Sequence, residues 1–358
     1  MSKKIKEKLK KNWLVITTLG ISTGILVYSL FCQNGIMTLG NIIAKLRVGW
    51  VIATMAAVIA SWLLEGFVLH IIVKHIWKDW DYSKSYNIGM VGVLYSAITP
   101  SATGGQPMQI ITMHNMGMDT GVACSAIAIK TLTYQIVMVL YAVIMVIAKL
   151  KYFQVNVNNF AWLTVVGIFG NVIFIAVVFM FMVSKKITDR ILRFFLHIAN
   201  KMKLCRNPDE RYEQIHSQLA LFHNASKRMG KSGKLYLIVM AFTTLQITLT
   251  SLIPYFIYRS FGLRGAKISI MIAAQVFVAM ISSFVPLPGS TGGAEGCFYI
   301  FFGPYFKSGI WPAIIVWRFV TYYLNILVGA ASVWWSNKYI KNKKMREKAV
   351  FSDDGQRH

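Results

Sequence analysis

Thr99-Pro100-Ser101-Ala102-Thr103-Gly104-Gly105-Gln106-Pro107 and Val285-Pro286-Leu287-Pro288-Gly289-Ser290-Thr291-Gly292-Gly293-Ala294-Glu295-Gly296 decide how this chain folds. Each interrupts an apolar stretch near its middle, the first within 88–116 and the second within 268–303. The flanking halves hold roughly 10–14 apolar residues, which suits a re-entrant segment and falls short of a membrane span. The breaks are copies of one pattern. Pro100-Ser-Ala-Thr103-Gly104-Gly105 matches Pro288-Gly-Ser-Thr291-Gly292-Gly293 at a constant offset of 188. At that offset Lys130 falls on Arg318 and Tyr134 on Tyr322. Two cations deep in apolar runs, at matching places in two repeats, point to a shared purpose.

The surrounding composition sets the solvent. Hydrophobic residues make up 56% of the 358 and charged residues only 14%, with a mean hydropathy of +0.53. A soluble domain carries about a quarter charged residues, so this chain cannot cover a water-facing surface. Six unbroken apolar runs, about 13–31, 48–73, 121–149, 160–183, 234–258 and 310–337, are each long enough to cross a bilayer. The Lys-rich start runs into 13–31 with no small-x-small cleavage site, so that run reads as a retained span rather than a signal peptide. The expected fold is an all-α integral membrane protein with six spanning helices and two re-entrant hairpins in an inverted repeat. Repeat one covers about 48–149 and repeat two about 234–337, within a single membrane domain, 1–337. A basic connector, 184–233, joins them, and a basic tail, 338–358, follows.

Charge sets the orientation. The net charge is +25, and on a soluble protein that would suggest nucleic acid. Here the cations cluster outside the apolar runs and read as topology determinants instead. If both broken stretches return to the side they entered from, one side collects 27 Lys and Arg and the other 8. If each crossed once, the connector with its 11 would change sides and the bias would collapse. The positive-inside rule therefore favours two hairpins and both termini cytoplasmic, in a multi-pass protein of the cell membrane. Within the connector, Ile187, Ile191, Leu192, Phe195 and Ile198 recur at helical spacing. Asn207-Pro208-Asp209-Glu210 is a helix start, and Gly230 a stop. Two amphipathic helices against anionic lipids are expected there. Trp77, Trp80, Trp311, Trp334 and Trp335 read as interfacial anchors.

The chemistry follows from backbone accounting. A helix interrupted inside a membrane exposes N–H groups at the start of its second half, and these join the dipole's positive end in an anion site. Thr103, Gly104, Gly105, Thr291, Gly292 and Gly293 stand at those starts. Glycine permits positive φ and close approach, and threonine adds a hydroxyl. Four ionisable residues lie at membrane depth: Glu65, Lys130, Glu295 and Arg318. Such groups persist when paired or when they line a wet cavity. One use is two ion pairs that fix packing. The other is a polar cavity in which Lys130 and Arg318 hold a headgroup phosphate, while Glu295 and Glu65 take a cationic group or a coupling proton. The four cysteines are scattered, the histidines form no ligand motif, and no P-loop, dinucleotide fingerprint or nucleophile elbow occurs. No metal, cofactor or catalytic set is expected.

The two break sequences resemble the paired motifs of the lysylphosphatidylglycerol synthase transmembrane family, the flippase-like membrane part of the multiple peptide resistance factor. The likeness extends over about 10–340. It implies a flippase for phosphatidylglycerol or its lysyl ester, and through it resistance to cationic peptides. Many relatives carry an acidic residue at the place of Gln106. Bifunctional relatives continue into a soluble synthase domain. This chain stops about twenty residues past its last apolar run, so it is expected to transfer no lysyl group alone and to work with a separate lipid-modifying enzyme. Two other functions stay open: the phosphatidylglycerol lysyltransferase of the family's label, and a membrane scaffold that moves nothing. No nucleic-acid contact is expected, and the oligomeric state is not legible.

Overall fold

A computed structural model describes residues 46–156, 160–191, 208–230 and 232–354, with single positions at 20, 24 and 194. Apart from two of those positions, the expected span 13–31 lies outside them. The described residues are helical almost throughout. They form α1 (Val48–Ile76), α2 (Tyr82–Ile98), α3 (Gly105–Asn115), α4 (Thr120–Asn156) and α5 (Phe160–Val183), then α6 (Pro208–Gly230) and α7 (Gly233–Ser260). The series ends with α8 (Ile268–Ser282), α9 (Gly293–Phe306), α10 (Ile310–Arg318) and α11 (Leu324–Asp354). A single π-turn, Phe319–Tyr323, joins α10 to α11 without a break.

The chain is an all-helical membrane protein. Four helices are long and apolar enough to cross a bilayer among the described residues, or five if α5 is counted with the short helix Lys185–Ile191, from which it is bent by 102°. α1 is 29 residues, about 44 Å at 1.5 Å per residue. It stops at Trp77, whose N–H still bonds to Val73 O. α4 runs to Asn156, past the apolar run expected to close at 149, because Lys149 and Lys151 are helix formers that carry the helix beyond its apolar part. Ser232 caps α7 by accepting from Leu235 N–H.

Both broken stretches turn back on themselves. In the first, Gly92 of α2 lies against Gln109 of α3, and Ser96 against Gly105. In the second, the Phe277 ring stacks on that of Phe301, 5.8 Å between centroids. Each is therefore an antiparallel helical hairpin. Their helices have 17, 11, 15 and 14 residues, all shorter than the roughly 20 a span requires.

Two apolar cores hold the bundle. One gathers Leu69, Ile72, Ile88, Met113 and Ile127 from the first half. The other is built on Phe153, Phe277, Phe298, Phe301 and Phe302 from around the second hairpin. α6 starts at Pro208, as the Asn207–Glu210 signal predicts, and ends at Gly230. It packs on α4 rather than lying free. Gly121 N–H donates to Gln218 Oε1 at 3.0 Å, and Ser125 Oγ donates to Phe222 O at 2.9 Å. Of the first connector helix, 192–207 lies outside the described residues apart from position 194. Trp80 departs from the expected interfacial role. It is 4% exposed, and its Nε1 donates to Ser85 Oγ.

Candidate functional site

The two breaks have one backbone conformation. Ser101 and Ala102 have φ of 48° and 55°, and their equivalents Gly289 and Ser290 have 61° and 54°. Thr103 N–H donates to Pro100 O at 3.1 Å, and Thr291 N–H to Pro288 O at 3.3 Å. Positive φ at both central residues of such a turn is the sign pattern of type I′. Each threonine hydroxyl donates to that same proline carbonyl, at 2.9 Å and 2.8 Å. The hydroxyls expected to face a headgroup are thus turned onto their own loops. The loops meet as well, for Pro100 and Pro288 pair as an antiparallel bridge.

The motif glycines serve the chain's own packing. A Cβ on Gly105 would fall on Ser96 Oγ and 2.8 Å from Gly92 O, and one on Gly104 would lie 2.6 Å from Thr99 Cγ2. A Cβ on Gly293 would strike Val285. Of these four motif glycines only Gly292 has positive φ, at 85°. Gly104 N–H donates to Thr99 Oγ1 at 2.9 Å, and Gly292 N–H to Glu295 Oε2 at 2.7 Å. Amides expected to be vacant for an anion are therefore engaged. At α9 the chain's own carboxylate occupies the positive end of the dipole, where a carboxylate is stabilised.

All four charges expected at membrane depth are paired. Arg318 Nε donates to Glu295 Oε1 at 2.7 Å, and both side chains are 5% exposed. Arg318 Nη1 donates to Gly289 O at 3.1 Å, and its guanidinium carbon stands 5.3 Å from the centres of Trp317 and Tyr322. One residue thus ties the whole second break to α10. Lys130 pairs with Glu65 of α1, whose other oxygen accepts from Gln246 Nε2 of α7 at 3.1 Å. These side chains are 13% and 15% exposed, so the pair is the wetter of the two. The cations obey the repeat, but their partners do not. At the 188 offset Glu295 corresponds to Pro107, and the first repeat's carboxylate comes from another helix.

Lys130 and Arg318 open onto one cavity of about 550 Å³, within the range of small-molecule sites. Elements of both repeats line it. Glu65 and Gly105 also reach it, whereas Thr103, Gly104, Thr291, Gly292, Gly293 and Glu295 do not line it. Tyr134 and Tyr322, matched by the repeat, are both lining residues. Tyr322 Oη donates to Ala97 O at 3.4 Å, bracing the first hairpin from the second repeat.

Residues 15–329 match the family described as the lysylphosphatidylglycerol synthase TM region. The chain belongs to that family. It is also similar to a UPF0104 membrane protein of Archaeoglobus fulgidus, with 22% identity over 308 residues, 83% of this chain and 91% of that protein. The matched stretch includes both breaks and both ion pairs and ends six residues into α11.

Sequence reading overlooked most of the cavity's polar lining. Gln106, Gln109, Gln135, Gln246, Gln275 and Asn325 all reach it. The available signal was an uncharged amide inside an apolar helix, a group that is costly in lipid without a partner. Trp62 was likewise missed, and its Nε1 donates to Asn325 Oδ1 at 2.6 Å across α1 and α11.

Proposed function

We propose that this protein carries a polar lipid across the cell membrane, as a flippase for phosphatidylglycerol, its lysyl ester or a related lipid. The observation that carries the reading is the meeting of two repeat-matched cations on one polar cavity between two joined hairpin tips. A break in the membrane exposes backbone polar groups that only protein or a water-filled cavity can satisfy. Transporters place substrate sites near the midplane, where such repeats meet. In this reading the two hairpins enter from opposite sides, six helices span, and both termini are cytoplasmic. The distribution of Lys and Arg supports that orientation. Resistance to cationic peptides would follow from the lysyl ester reaching the outer leaflet, and a separate enzyme would make it.

A scaffold that moves nothing is the competing reading, and the pairing of all four buried charges favours it. It gives no reason for a space of about 550 Å³ lined by Glu65, Lys130, Arg318 and five glutamines. Reconstitution in proteoliposomes decides between them. The carrier exchanges labelled phosphatidylglycerol or its lysyl ester between leaflets faster than protein-free vesicles do. Equal rates would end the carrier reading, and lysyl transfer from lysyl-tRNA by the purified chain would install the lysyltransferase instead.

A further inference from the structure

The charges around the cavity are occupied. Lys130 is held by Glu65, and Arg318 by Glu295 and the carbonyl of Gly289. A phosphate that took either cation would strand a buried carboxylate, which is heavily penalised. An ammonium that took either carboxylate would strand a cation in the same way.

The neutral groups are in the opposite condition. Five of the chain's ten glutamines line this one space, while Gln33, Gln154, Gln214, Gln218 and Gln356 lie at the ends of apolar segments or in the connector and tail. Gln109 Nε2 is engaged by Ile88 O and Gly89 O, and Gln246 by Glu65. Gln106 and Gln135 make no side-chain hydrogen bond among the described residues. Gln275 Oε1 and Trp317 Nε1, on residues 8% and 5% exposed, are buried with no partner. One is an acceptor and the other a donor. Buried polar atoms are nearly always satisfied, so these two call for an occupant that both donates and accepts.

We infer that the cavity recognises the hydroxyl groups of a polyol headgroup, glycerol or sugar, through Gln106, Gln135, Gln275 and Trp317, with the ion pairs acting as fixed walls. This rests on the carrier reading and names what the carrier selects. A primary amide has two donor hydrogens and an acceptor oxygen side by side, so it can accept from one hydroxyl and donate to its neighbour. A phosphate oxygen only accepts, and an ammonium only donates.

The test compares four lipids with the same acyl chains on the purified full chain: glucosyl-diacylglycerol, phosphatidylglycerol, phosphatidylethanolamine and phosphatidic acid. Retention in detergent is read by native mass spectrometry, and leaflet exchange in proteoliposomes. The two hydroxyl-bearing lipids are expected to be retained about tenfold more than the other two, the worth of one or two hydrogen bonds. Gln135→Leu and Gln106→Leu are expected to reduce that preference to about twofold or less with an unchanged melting temperature. Equal retention of phosphatidic acid or phosphatidylethanolamine by the unaltered protein overturns the inference, and that comparison stands even if a variant fails to fold. Exchange of all four lipids at one rate also overturns it while leaving the carrier in place. The retention preference without any exchange supports it and removes the carrier instead.

Discussion

Pro100 and Pro288, 188 residues apart and equivalent in the repeat, pair with each other as an antiparallel bridge. Neither has an N–H to donate, so the pairing is a close antiparallel approach of the two backbones. The contact joins the turns of two hairpins that share one backbone conformation, and residues on either side of it line the cavity. A residue paired with its own repeat equivalent lies where an axis relating the two halves would pass.

That pairing sets a distance. Paired residues of antiparallel segments have Cα atoms about 4.5–5.5 Å apart, inside the range a disulfide bridges. With the four native cysteines replaced, Pro100→Cys with Pro288→Cys is expected to close a disulfide under mild oxidation. Gel mobility with and without reductant reads it. Two thiols that stay free after oxidation would place the tips apart and break the cavity as described.

Arg318 and Lys130 differ in what they hold. Removing one partner of a buried pair costs about 3–5 kcal/mol, and Arg318 also fastens Gly289 O. Arg318→Gln is therefore expected to lose about that much stability, with Glu295→Gln close behind. Lys130→Gln should lose about 1–2 kcal/mol, between the buried and exposed extremes, because Glu65 keeps Gln246 and the pair is wetter. Cations that served only a ligand could be neutralised without loss of folding, but the clamp on the second break argues otherwise for Arg318. Thermal unfolding in detergent ranks the three. A melting temperature for Arg318→Gln equal to that of Lys130→Gln would refute the clamp.

How much of this was legible follows from the range of each signal. The breaks are local: Pro and Gly inside an apolar run mark their own positions, with α2 and α8 ending just before those residues and α3 and α9 starting within them. The match of Lys130 to Arg318 is periodic, and a constant offset exposes it. The partners were not legible. Glu295 meets Arg318 only because the chain folds back between α9 and α10, around Lys307–Gly309, and Glu65 reaches Lys130 from a helix 65 residues earlier. The role of Gly105 was misplaced for the same reason, since only the hairpin reveals that Ser96 already fills the space. The polar lining is harder still. Gln106, Gln135, Gln246 and Gln275 come from four different helices, and no spacing in the chain links them.

Close helix crossings give a second stability test. A Cβ at Gly329 would stand 2.6 Å from Leu94 Cβ and 2.8 Å from Met90 O, where α11 crosses α2. At Gly105 it would meet Ser96 and Gly92 O. Backbone cannot retreat as a side-chain tip can, so Gly329→Ala and Gly105→Ala are each expected to cost about 1–3 kcal/mol. Gly296, with nothing within 4 Å of its Cβ position, is the control. Gly296→Ala in α9 should be neutral or slightly stabilising. Should all three variants melt together, the close crossings are wrong.

The twin turns offer a change in the opposite direction. Ala102 and Ser290 occupy equivalent positions with φ of 55° and 54°, a region that costs a residue with a Cβ about 1–2 kcal/mol. Glycine removes that cost and adds back about 0.4–1 kcal/mol of unfolded-chain entropy. The net expectation for Ala102→Gly is a gain of up to about 1 kcal/mol, because the alanine methyl is exposed and gives up little packing. Ser290→Gly should gain as much, since its side chain has no hydrogen bond among the described residues. Gly289→Ala, at φ 61° and against the Tyr322 ring, should lose stability on both counts. Melting temperatures of the three variants test the shared conformation directly. If the glycines at 102 and 290 change stability with opposite signs, the two loops do not have the same backbone, and the repeat fails at the point where its halves touch.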